Sequence, residues 1–269
     1  MIGVVKVGGA EGNRLEPLLA ELASRTADGE RWVLVHGASG IMDRFCGERG
    51  VSVRMITSPA GYRSRFVGET ERAVFEEAAM AYGALIKQGL DGFCAQSEQI
   101  HPASLGTVLA KRKDILRESV NGRIRVLRGN YSGTVTSVDS SAVTKKIKEG
   151  VIPIMPPLGL DRESGLAINI DGDRLAAATA GSIRADVMII LSNVPGLMKD
   201  ISEPSSLIKS GSLANWETLE YYAQGNMKRK VVACREAIEA RVPMVCLADG
   251  REENPIANAL RGNATCLVR

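Results

Sequence analysis

The chain has 269 residues, which is long enough to bury a large core, and its 45% hydrophobic and 24% charged residues exclude a disordered or fibrous protein. No apolar run approaches the ~20 residues of a membrane span, and no signal peptide is evident, so we expect a cytoplasmic protein. The five cysteines show no C-x-x-C spacing. This indicates neither a disulfide framework nor a zinc site and favours small core residues.

Strands and helices alternate along most of the chain. The predicted strands are IGVVKV (2–7), RWVLVHG (31–37), VIPIMPPL (151–158), DVMIILSN (186–193), VPMVCLA (242–248) and ATCLV (264–268). The predicted helices are LEPLLAELASRT (15–26), the segment after HGASG (36–40), residues 69–88, DRLAAATAGSI (173–183) and KRKVVACREAIEA (228–240). This order predicts an α/β fold with a mostly parallel central sheet sandwiched by helices.

Two segments interrupt the alternation. Residues 105–138 contain TVLAKRK, RIRVLRG and GTVTSV, which predict an antiparallel β-hairpin insertion with its turn at Asn121 and Gly122. A smaller hairpin is predicted in GLDRESGLAINIDGD. We expect two lobes, 1–165 and 166–269, with the boundary between Gly159 and Asn169.

Four predicted strands run into glycine-rich turns: VKVGGAEG, LVHGASG, LSNVPG and CLADG. Ligands of open parallel sheets bind beyond the carboxyl ends of the strands, where free backbone N–H groups favour anions. The four turns therefore indicate a phosphate-rich ligand. No G-x-x-x-x-G-K motif and no pair of glycines at i, i+2 occurs, which excludes a P-loop and a dinucleotide fingerprint. Protein-kinase motifs are missing as well.

Lys6 lies inside an apolar strand, where a buried ammonium is costly unless an anion meets it. Its side chain either reaches water at the strand end or points at a ligand. NIDGD (169–173) is compatible with a capped turn, and NMKRK (226–230) with a solvated helix start. Together with Lys6, these motifs supply two lysines and an acid. That set suits phosphoryl transfer, because its catalysis is mainly positioning and charge stabilisation.

Eight motifs carry a family resemblance, in this order: VVKVGGAEG, VLVHGASG, TSPAGYRSRF, GNYSGTV, INIDGDRLAAATAG, LSNVPGL, GNMKRKVVACREAI and DGREENPI. They span nearly the whole chain and resemble the amino acid kinase family. Within it they are most similar to acetylglutamate-kinase-like enzymes of lysine and arginine biosynthesis that act on an amino-group carrier protein. The resemblance implies ATP-dependent phosphorylation of carrier-linked 2-aminoadipate on its side-chain carboxylate. Carrier-linked glutamate, free N-acetylglutamate and a silent nucleotide-binding regulator remain alternatives.

The resemblance also implies residue roles. Lys6 and Lys230 would hold the γ-phosphoryl group, with Asp173 between them. Phosphates and the product acyl phosphate would be held by backbone groups of Gly8, Gly9, Gly37, Ala38 and Ser39. Arg65 and Asn169 would bind the α-carboxylate of the acceptor. ATP, which carries its own Mg²⁺, would lie near Ser192, Asn193, Gly196, Lys228 and Asp249. No protein-held metal is implied, and a homodimer is expected by analogy.

The sequence departs from the family pattern at two places. Ala38 stands where relatives have a second glycine, which would cost roughly 1 kcal/mol if φ were positive, and its methyl group would crowd the acceptor. Residues 91–106 differ from the usual wording of that segment, which leaves substrate and carrier contacts there open. By resemblance, His36 is a strand-end residue that orients its loop, whereas His101 has no assigned role.

Basic residues are concentrated in residues 111–128, which carry a net charge of +5 when the whole chain carries +3. A projecting basic element suits an acidic protein partner, because opposite potentials speed encounter. We therefore expect a small acidic carrier protein to contact Lys111, Arg112, Lys113, Arg123, Arg125 and Arg128. A charged edge that merely resists aggregation is the alternative. Nucleic acid is disfavoured, because the segment has no aromatic residue for stacking, and no membrane partner is expected.

Overall fold

The computed structural model describes residues 1–9, 12–101 and 106–269. The strands in this part of the chain are β1 Ile2–Val7, β2 Arg31–His36, β3 Arg54–Thr57, β4 Arg63–Phe66, β5 Ser97–Gln99, β6 Val108–Arg112, β7 Leu116–Val120, β8 Arg123–Leu127, β9 Ser132–Val138, β10 Ile152–Met155, β11 Leu158–Asp161, β12 Leu166–Ile170, β13 Val187–Ser192, β14 Ser210–Ser212, β15 Met244–Asp249 and β16 Thr265–Val268. The α-helices are α1 Leu15–Ala27, α2 Ser39–Glu48, α3 Glu69–Gly92, α4 Ser140–Lys148, α5 Gly172–Ser182, α6 Trp216–Tyr222, α7 Met227–Glu239 and α8 Pro255–Leu260.

Eight strands form the central sheet, in the order β14-β16-β15-β13-β1-β2-β10-β5. Every neighbouring pair is parallel except β15 and β16, which run antiparallel. Alternate residues of the central strands enter two separate apolar clusters. On β1, Val4 packs with α5 and α7, whereas Val5 and Val7 pack with α1 and α8. The predicted α/β sandwich is therefore confirmed, with one cluster on each face of the sheet.

The predicted insertion contains four strands in the described residues, whereas the sequence predicted three. Strands β6 and β9 pair with each other and join β11 and β12 in a small closed sheet. The projecting hairpin is β7 and β8, with Asn121 and Gly122 at φ +48° and +75° in its turn. Positive φ at both positions is the geometry of a two-residue hairpin turn. Leu105, the first residue of the predicted insertion, lies outside the described residues.

Several element boundaries differ from those predicted. VIPIMPPL divides into β10 and β11, because Pro156 and Pro157 interrupt the ladder. Helix α3 continues to Gly92, and β3, β4 and α4 were not predicted. The central sheet draws strands from both 1–165 and 166–269, since β1 pairs with β13; the division into two lobes stays a prediction. No helix within the described residues has the length and apolar character needed to cross a membrane.

Candidate active site

The carboxyl ends of β1, β2, β13 and β15 lie side by side, because these strands are parallel neighbours in register. The first two glycine-rich turns contact each other directly. Gly40 N donates a hydrogen bond to Gly9 O over 2.7 Å, and a Cβ on Gly9 would collide with the Ala38 backbone nitrogen. Glycine at position 9 is therefore required by this close approach.

Asn13 links the first turn to the end of β15, and the sequence analysis did not identify it. A Cβ on Gly250 would collide with the Asn13 amide oxygen, and Arg14 N donates to Gly250 O over 2.8 Å. That amide oxygen is buried and has no hydrogen-bond partner. A buried orphan acceptor between two strand-end turns suits a bound ligand that brings a donor. Its only sequence signal is its place directly after the first glycine-rich turn.

Lys6, Asp173 and Lys230, the lysine–aspartate trio, lie together at this edge. The Lys6 ammonium is 2.8 Å from Asp173 Oδ1, and the Lys230 ammonium is 3.1 Å from Asp173 Oδ2. All three side chains are less than 15% exposed. Lys6 therefore points at a buried carboxylate, and the structure brings together three residues that lie far apart in the sequence.

Local structure explains why the trio meets. Along β1, Lys6 shares the face of Val4, which is turned toward α5 and α7. Asp173 occupies the first turn of α5, whose N-cap residue Asp171 accepts hydrogen bonds from Asp173 N and Arg174 N over 2.9 and 3.1 Å. Lys230 lies in the first turn of α7. An acid at a helix N-terminus is also favoured by the helix dipole.

The electrostatics of the trio favour an added anion. Burial alone would raise the pKa of Asp173, but the Lys230 and Lys6 ammonium groups outweigh it and hold that pKa below its usual range. Burial and the nearby Lys6 charge lower the pKa of Lys230, with Asp173 opposing them. Two ammonium groups share one carboxylate in a site that excludes most water. The excess positive charge is suited to a phosphoryl group.

His36 ends β2 beside the trio. Its Nδ1 lies 2.9 Å from Gly37 O, and burial together with the Lys6 charge lowers the pKa of the imidazole to about 4, against the contribution of the Gly37 hydrogen bond. The ring is therefore neutral at pH 7. Because a carbonyl only accepts, Nδ1 carries the proton and donates to Gly37, which ties the ring to the second glycine-rich turn.

Arg65 lies on β4 with its side chain 13% exposed. Its Nη2 donates to Asp43 Oδ1 over 2.6 Å, while its Nη1 is buried without a partner. A guanidinium held on one side and unsatisfied on the other is prepared for a second carboxylate. Asn169, the expected helper, is half-buried on β12 and donates its backbone N–H to Tyr131 O over 3.0 Å. Asp43 was not identified from the sequence.

Ala38 has φ −140°, so the strain considered for a positive φ does not arise. Its side chain is 3% exposed and packs against Ile41, Met42 and Ala78. The methyl group therefore lies in the core and does not fill the cleft. The neighbouring Ser39 is exposed at the start of α2, where its backbone N–H is placed to meet an anion. The N–H groups of Gly37 and Gly40 are already engaged, because they donate to Val7 O and Gly9 O over 2.9 and 2.7 Å.

The residues expected around ATP differ in their surroundings. Ser192 is buried and donates to Val194 O over 3.1 Å, and Asn193 and Lys228 are exposed. Gly196 packs so closely on Thr265 that a Cβ would lie 2.5 Å from its hydroxyl oxygen. The Asp249 carboxylate accepts two hydrogen bonds from the Arg251 guanidinium over 2.8 and 2.6 Å, a partner that the sequence analysis did not identify.

The basic residues of 111–128 divide into two groups. Arg112 is engaged within the protein, since its Nε donates to Asn130 O over 2.7 Å and its guanidinium lies 3.7 Å from the Tyr131 ring centroid. The exposed members are Lys111, Lys113, Arg117, Arg123, Arg125 and Arg128. Lys113 is exposed as a whole residue, but partial burial of its ammonium group and the charges of Arg174 and Arg229 lower its pKa, while Asp171 raises it. Lys113 therefore lies near the helix start that carries Asp173.

The projecting hairpin packs against the pair of strands that holds Arg65. Arg54 on β3 makes an ion pair of 2.7 Å with the buried Glu118 on β7. Tyr131 N donates to Val67 O over 2.7 Å, which fastens the base of the insertion two residues beyond Arg65. Arg229 on α7 donates to the Arg63 carbonyl and so joins α7 to β4.

The divergent segment 91–106 is described only in part. His101 Nε2 lies 3.1 Å from Glu76 Oε1 on α3, and residues 102–105 lie outside the described part of the chain. Across the described residues, no group of three or more histidine, cysteine, aspartate or glutamate side chains is arranged to hold a metal ion.

The chain matches known proteins over nearly its whole length. The profile of the amino acid kinase family covers residues 1–248. LysW-aminoadipate kinase of Deinococcus radiodurans is 36% identical over 97% of this chain and 90% of its own, and the enzyme of the same name from Thermus thermophilus is 36% identical over 97% and 98%. The solved structure of N-acetylglutamate synthase from Neisseria gonorrhoeae, in complex with coenzyme A and N-acetyl-glutamate, superposes with a TM-score of 0.78 at 22% identity, covering 100% of this chain and 59% of that one.

The structural likeness to the synthase concerns the fold, whereas the family match covers the site residues up to position 248. The match includes the first three glycine-rich turns and all three members of the lysine–aspartate trio, and the turn at Asp249 and Gly250 lies directly beyond it. The resemblance stated from the motifs is therefore confirmed: the chain is a phosphotransferase that belongs to the amino acid kinase family.

Proposed function

We propose that this chain uses ATP to phosphorylate the side-chain carboxylate of carrier-linked 2-aminoadipate, forming an acyl phosphate in lysine biosynthesis. The observation that carries the proposal is the buried trio of Lys6, Asp173 and Lys230 beside converging glycine-rich turns. The choice of acceptor is supported by the names of two relatives at 36% identity.

In the proposed reaction, an acceptor carboxylate oxygen attacks the γ-phosphorus and the bond to the β–γ bridging oxygen breaks. The acceptor is already ionised at neutral pH, so no general base is required. Lys6 and Lys230 stabilise the charge that develops on the phosphoryl oxygens, and Asp173 keeps both ammonium groups in place. Mg²⁺, brought by the nucleotide, supplies further charge neutralisation.

Binding is divided between the two sides of the trio. On the acceptor side, the free Nη1 of Arg65 binds the α-carboxylate with Asn169 nearby. Backbone N–H groups of the turns at 8–9 and 38–39 hold phosphate oxygens, whereas the Gly37 N–H donates to Val7 O. On the other side, ATP lies against the ends of β13 and β15. Residues proposed to contact it are Ser192, Asn193, Gly196, Lys228 and Asp249, with Asn13 added because of its unpaired amide oxygen.

The carrier protein docks on the projecting hairpin, in this proposal. The hairpin packs on the strands that hold Arg65, so a bound carrier would present its amino acid close to that arginine. Ile124 and Val126 on β8 are 62% and 53% exposed between the arginines. Exposed apolar residues among charges are typical of a protein-binding surface. The homodimer and the cytoplasmic location stay predictions.

The experiment is acyl-phosphate trapping with hydroxylamine. Purified chain is given ATP, Mg²⁺ and one acceptor at a time: carrier-linked aminoadipate, carrier-linked glutamate, free aminoadipate or N-acetylglutamate. We expect the fastest hydroxamate formation with carrier-linked aminoadipate. One methylene is worth only ~1–3 kcal/mol, so slower turnover of carrier-linked glutamate is compatible with the proposal. Faster turnover of N-acetylglutamate would overturn the carrier and the aminoadipate assignment together.

The same assay separates the enzyme from the silent regulator. A regulator would bind ATP, measured by calorimetry, and form no hydroxamate with any acceptor. The ordered trio argues against this alternative, because two buried lysines held by one aspartate are costly to keep without an anionic ligand.

A further inference from the structure

Cys246 and Cys266 face each other across two neighbouring strands at one side of the sheet. They are directly opposed in the antiparallel register of β15 and β16, and their sulfur atoms are 2.8 Å apart. Neither residue belongs to the proposed kinase site. Because 19 residues separate them in the sequence, no motif indicated that they would meet.

The backbone at this pair has the geometry that permits a cross-strand disulfide. Cys266 N donates to Lys209 O, beside β14, so its backbone groups point away from β15. Cys246 and Cys266 therefore form a non-hydrogen-bonded pair, in which the Cα atoms approach to roughly 4.5 Å. Disulfides span Cα distances from about 4.4 to 6.8 Å, so the bond requires little movement of the strands.

The two thiols differ in their exposure to solvent. Cys246 is fully buried, and its hydrogen bond to Cys266 together with burial raises its pKa. Cys266 is partly exposed, and the same hydrogen bond lowers the pKa of its thiol. Cys266 is the partly exposed member of the pair, so its sulfur is the one that meets an oxidant first.

We propose that Cys246 and Cys266 are a modification site at which a hydroperoxide forms an intramolecular disulfide. The Cys266 thiolate attacks one peroxide oxygen, the O–O bond breaks, and Cys266 becomes a sulfenic acid as hydroxide or alkoxide leaves. The Cys246 sulfur then attacks the Cys266 sulfur, its proton is lost, and the sulfenic hydroxyl leaves as water. Two thiols are oxidised to one disulfide, and hydrogen peroxide is reduced to two waters.

The disulfide would tie β16 to β15, the strand that leads into the proposed nucleotide turn. The closed segment contains Asp249, Gly250 and α8, whose first N–H groups, those of Ile256 and Ala257, already donate to Glu21 on α1. Closing this loop removes freedom from the unfolded chain. The oxidised chain should therefore be more heat-stable than the reduced chain.

The test treats the full, reduced chain with equimolar hydrogen peroxide, unfolds it in denaturant with an alkylating reagent that blocks the remaining thiols, and maps the peptides by mass spectrometry. We expect Cys246 joined to Cys266, with Cys46 and Cys234 alkylated. We also expect a melting temperature raised by about 5 °C and restored by dithiothreitol. Matched variants are Cys266→Ser, which should lose both effects, and Cys94→Ser, which should keep both because Cys94 is exposed elsewhere.

The proposal fails if Cys94 is oxidised while Cys246 and Cys266 stay alkylated. It also fails if Cys266 stops at a sulfinic acid with Cys246 free. Cys246→Ala provides a second arm should Cys266→Ser fold poorly: here Cys266 should be trapped as a sulfenic acid by dimedone, and absence of that adduct would count against Cys266 as the attacking sulfur.

Discussion

The lysine–aspartate trio and the basic segment, residues 111–128, place the same kind of charge in opposite surroundings. The trio is buried, and each of its ammonium groups is fixed on Asp173 by a strand or a helix start. The arginines at positions 123, 125 and 128 are exposed on a projecting hairpin. A buried charge must be paired and held in position, which indicates a catalytic role. An exposed charge forms only weak contacts within the protein, which indicates a role in the encounter with a charged partner.

The largest effect is expected from Asp173→Asn. Two buried ammonium groups would lose their shared carboxylate and repel each other, which costs about 3–5 kcal/mol of stability when a buried pair is broken. We expect kcat to fall by about 10³-fold. Asp171→Asn keeps the helix cap and is the matched control, with a loss below about tenfold. Equal kcat in the two variants would contradict the assignment of Asp173 to the active site.

Arg65→Lys tests the acceptor side. An ammonium cannot hold Asp43 and a substrate carboxylate in the planar geometry of a guanidinium. We expect KM for the acceptor to rise by about 10²-fold while KM for ATP stays within about twofold. Arg63→Lys, on the same strand with an exposed side chain, should leave both constants unchanged. If the Arg63 variant alone raised KM, the acceptor carboxylate would have to bind there.

His36 gives the buried region a pH dependence. Its pKa is about 4 in the folded chain and about 6.5 when unfolded, so the unfolded chain binds the proton first as the pH falls. Stability is therefore retained above about pH 6.5 and declines toward pH 4, by roughly 2 kcal/mol at pH 5. Urea unfolding at pH 7 and pH 5 should show this decline in the parent and in His101→Gln. In His36→Asn the contribution should be missing, and an unchanged decline there would assign it to another group.

The hairpin should act through long-range charge. Replacing Arg123, Arg125 and Arg128 by Ser should raise KM for the carrier-linked substrate about tenfold at low salt and leave KM for ATP unchanged. In the parent, kcat/KM should fall as salt is raised. A control variant replaces Lys145 and Lys148 on α4, together with Lys199, by Ser. A control that lost as much kcat/KM would show that overall charge, and no particular surface, governs encounter.

The smallest effect is expected from Ala38→Gly. Because the methyl group is buried in the core and φ is −140°, its removal should lower stability by about 1 kcal/mol or less and change kcat by less than about twofold. A large increase in kcat would mean that the methyl group crowds the acceptor after all. Steady-state kinetics and urea unfolding of the single variant suffice.

Sequence patterns predicted what depends on local periodicity and on strand ends. Lys6 stood out because an ammonium inside an apolar strand requires an explanation, and the glycine-rich turns fell at the ends of β1, β2, β13 and β15. The pairing of distant segments could not be predicted from such local patterns. β7 was missed, and β6 and β9 were not expected to close a sheet with β11 and β12, since register between distant strands leaves no local signal.

Contacts between residues distant in the sequence were missed for the same reason. Asp43 meets Arg65, and Cys246 meets Cys266, only after the chain has folded. Arg251 lies two residues after Asp249, and this local ion pair was missed as well. Arg112 illustrates a different limit: its charge marked it as a docking residue, and the structure shows that Tyr131 and Asn130 hold its guanidinium. Composition identifies a charge, but only packing shows whether that charge is available to a partner.

The most direct test of the central claim compares two lysines in the first turn of α7, Lys230 in the buried trio and the exposed Lys228. Lys230→Met and Lys228→Met are assayed by hydroxamate formation with carrier-linked aminoadipate, with ATP binding measured by calorimetry. We predict that Lys230→Met lowers kcat by about 10²–10³-fold, and that Lys228→Met keeps kcat within about threefold while weakening ATP binding. Near-parent kcat in a folded Lys230→Met chain would contradict the assignment of phosphoryl transfer to the buried trio.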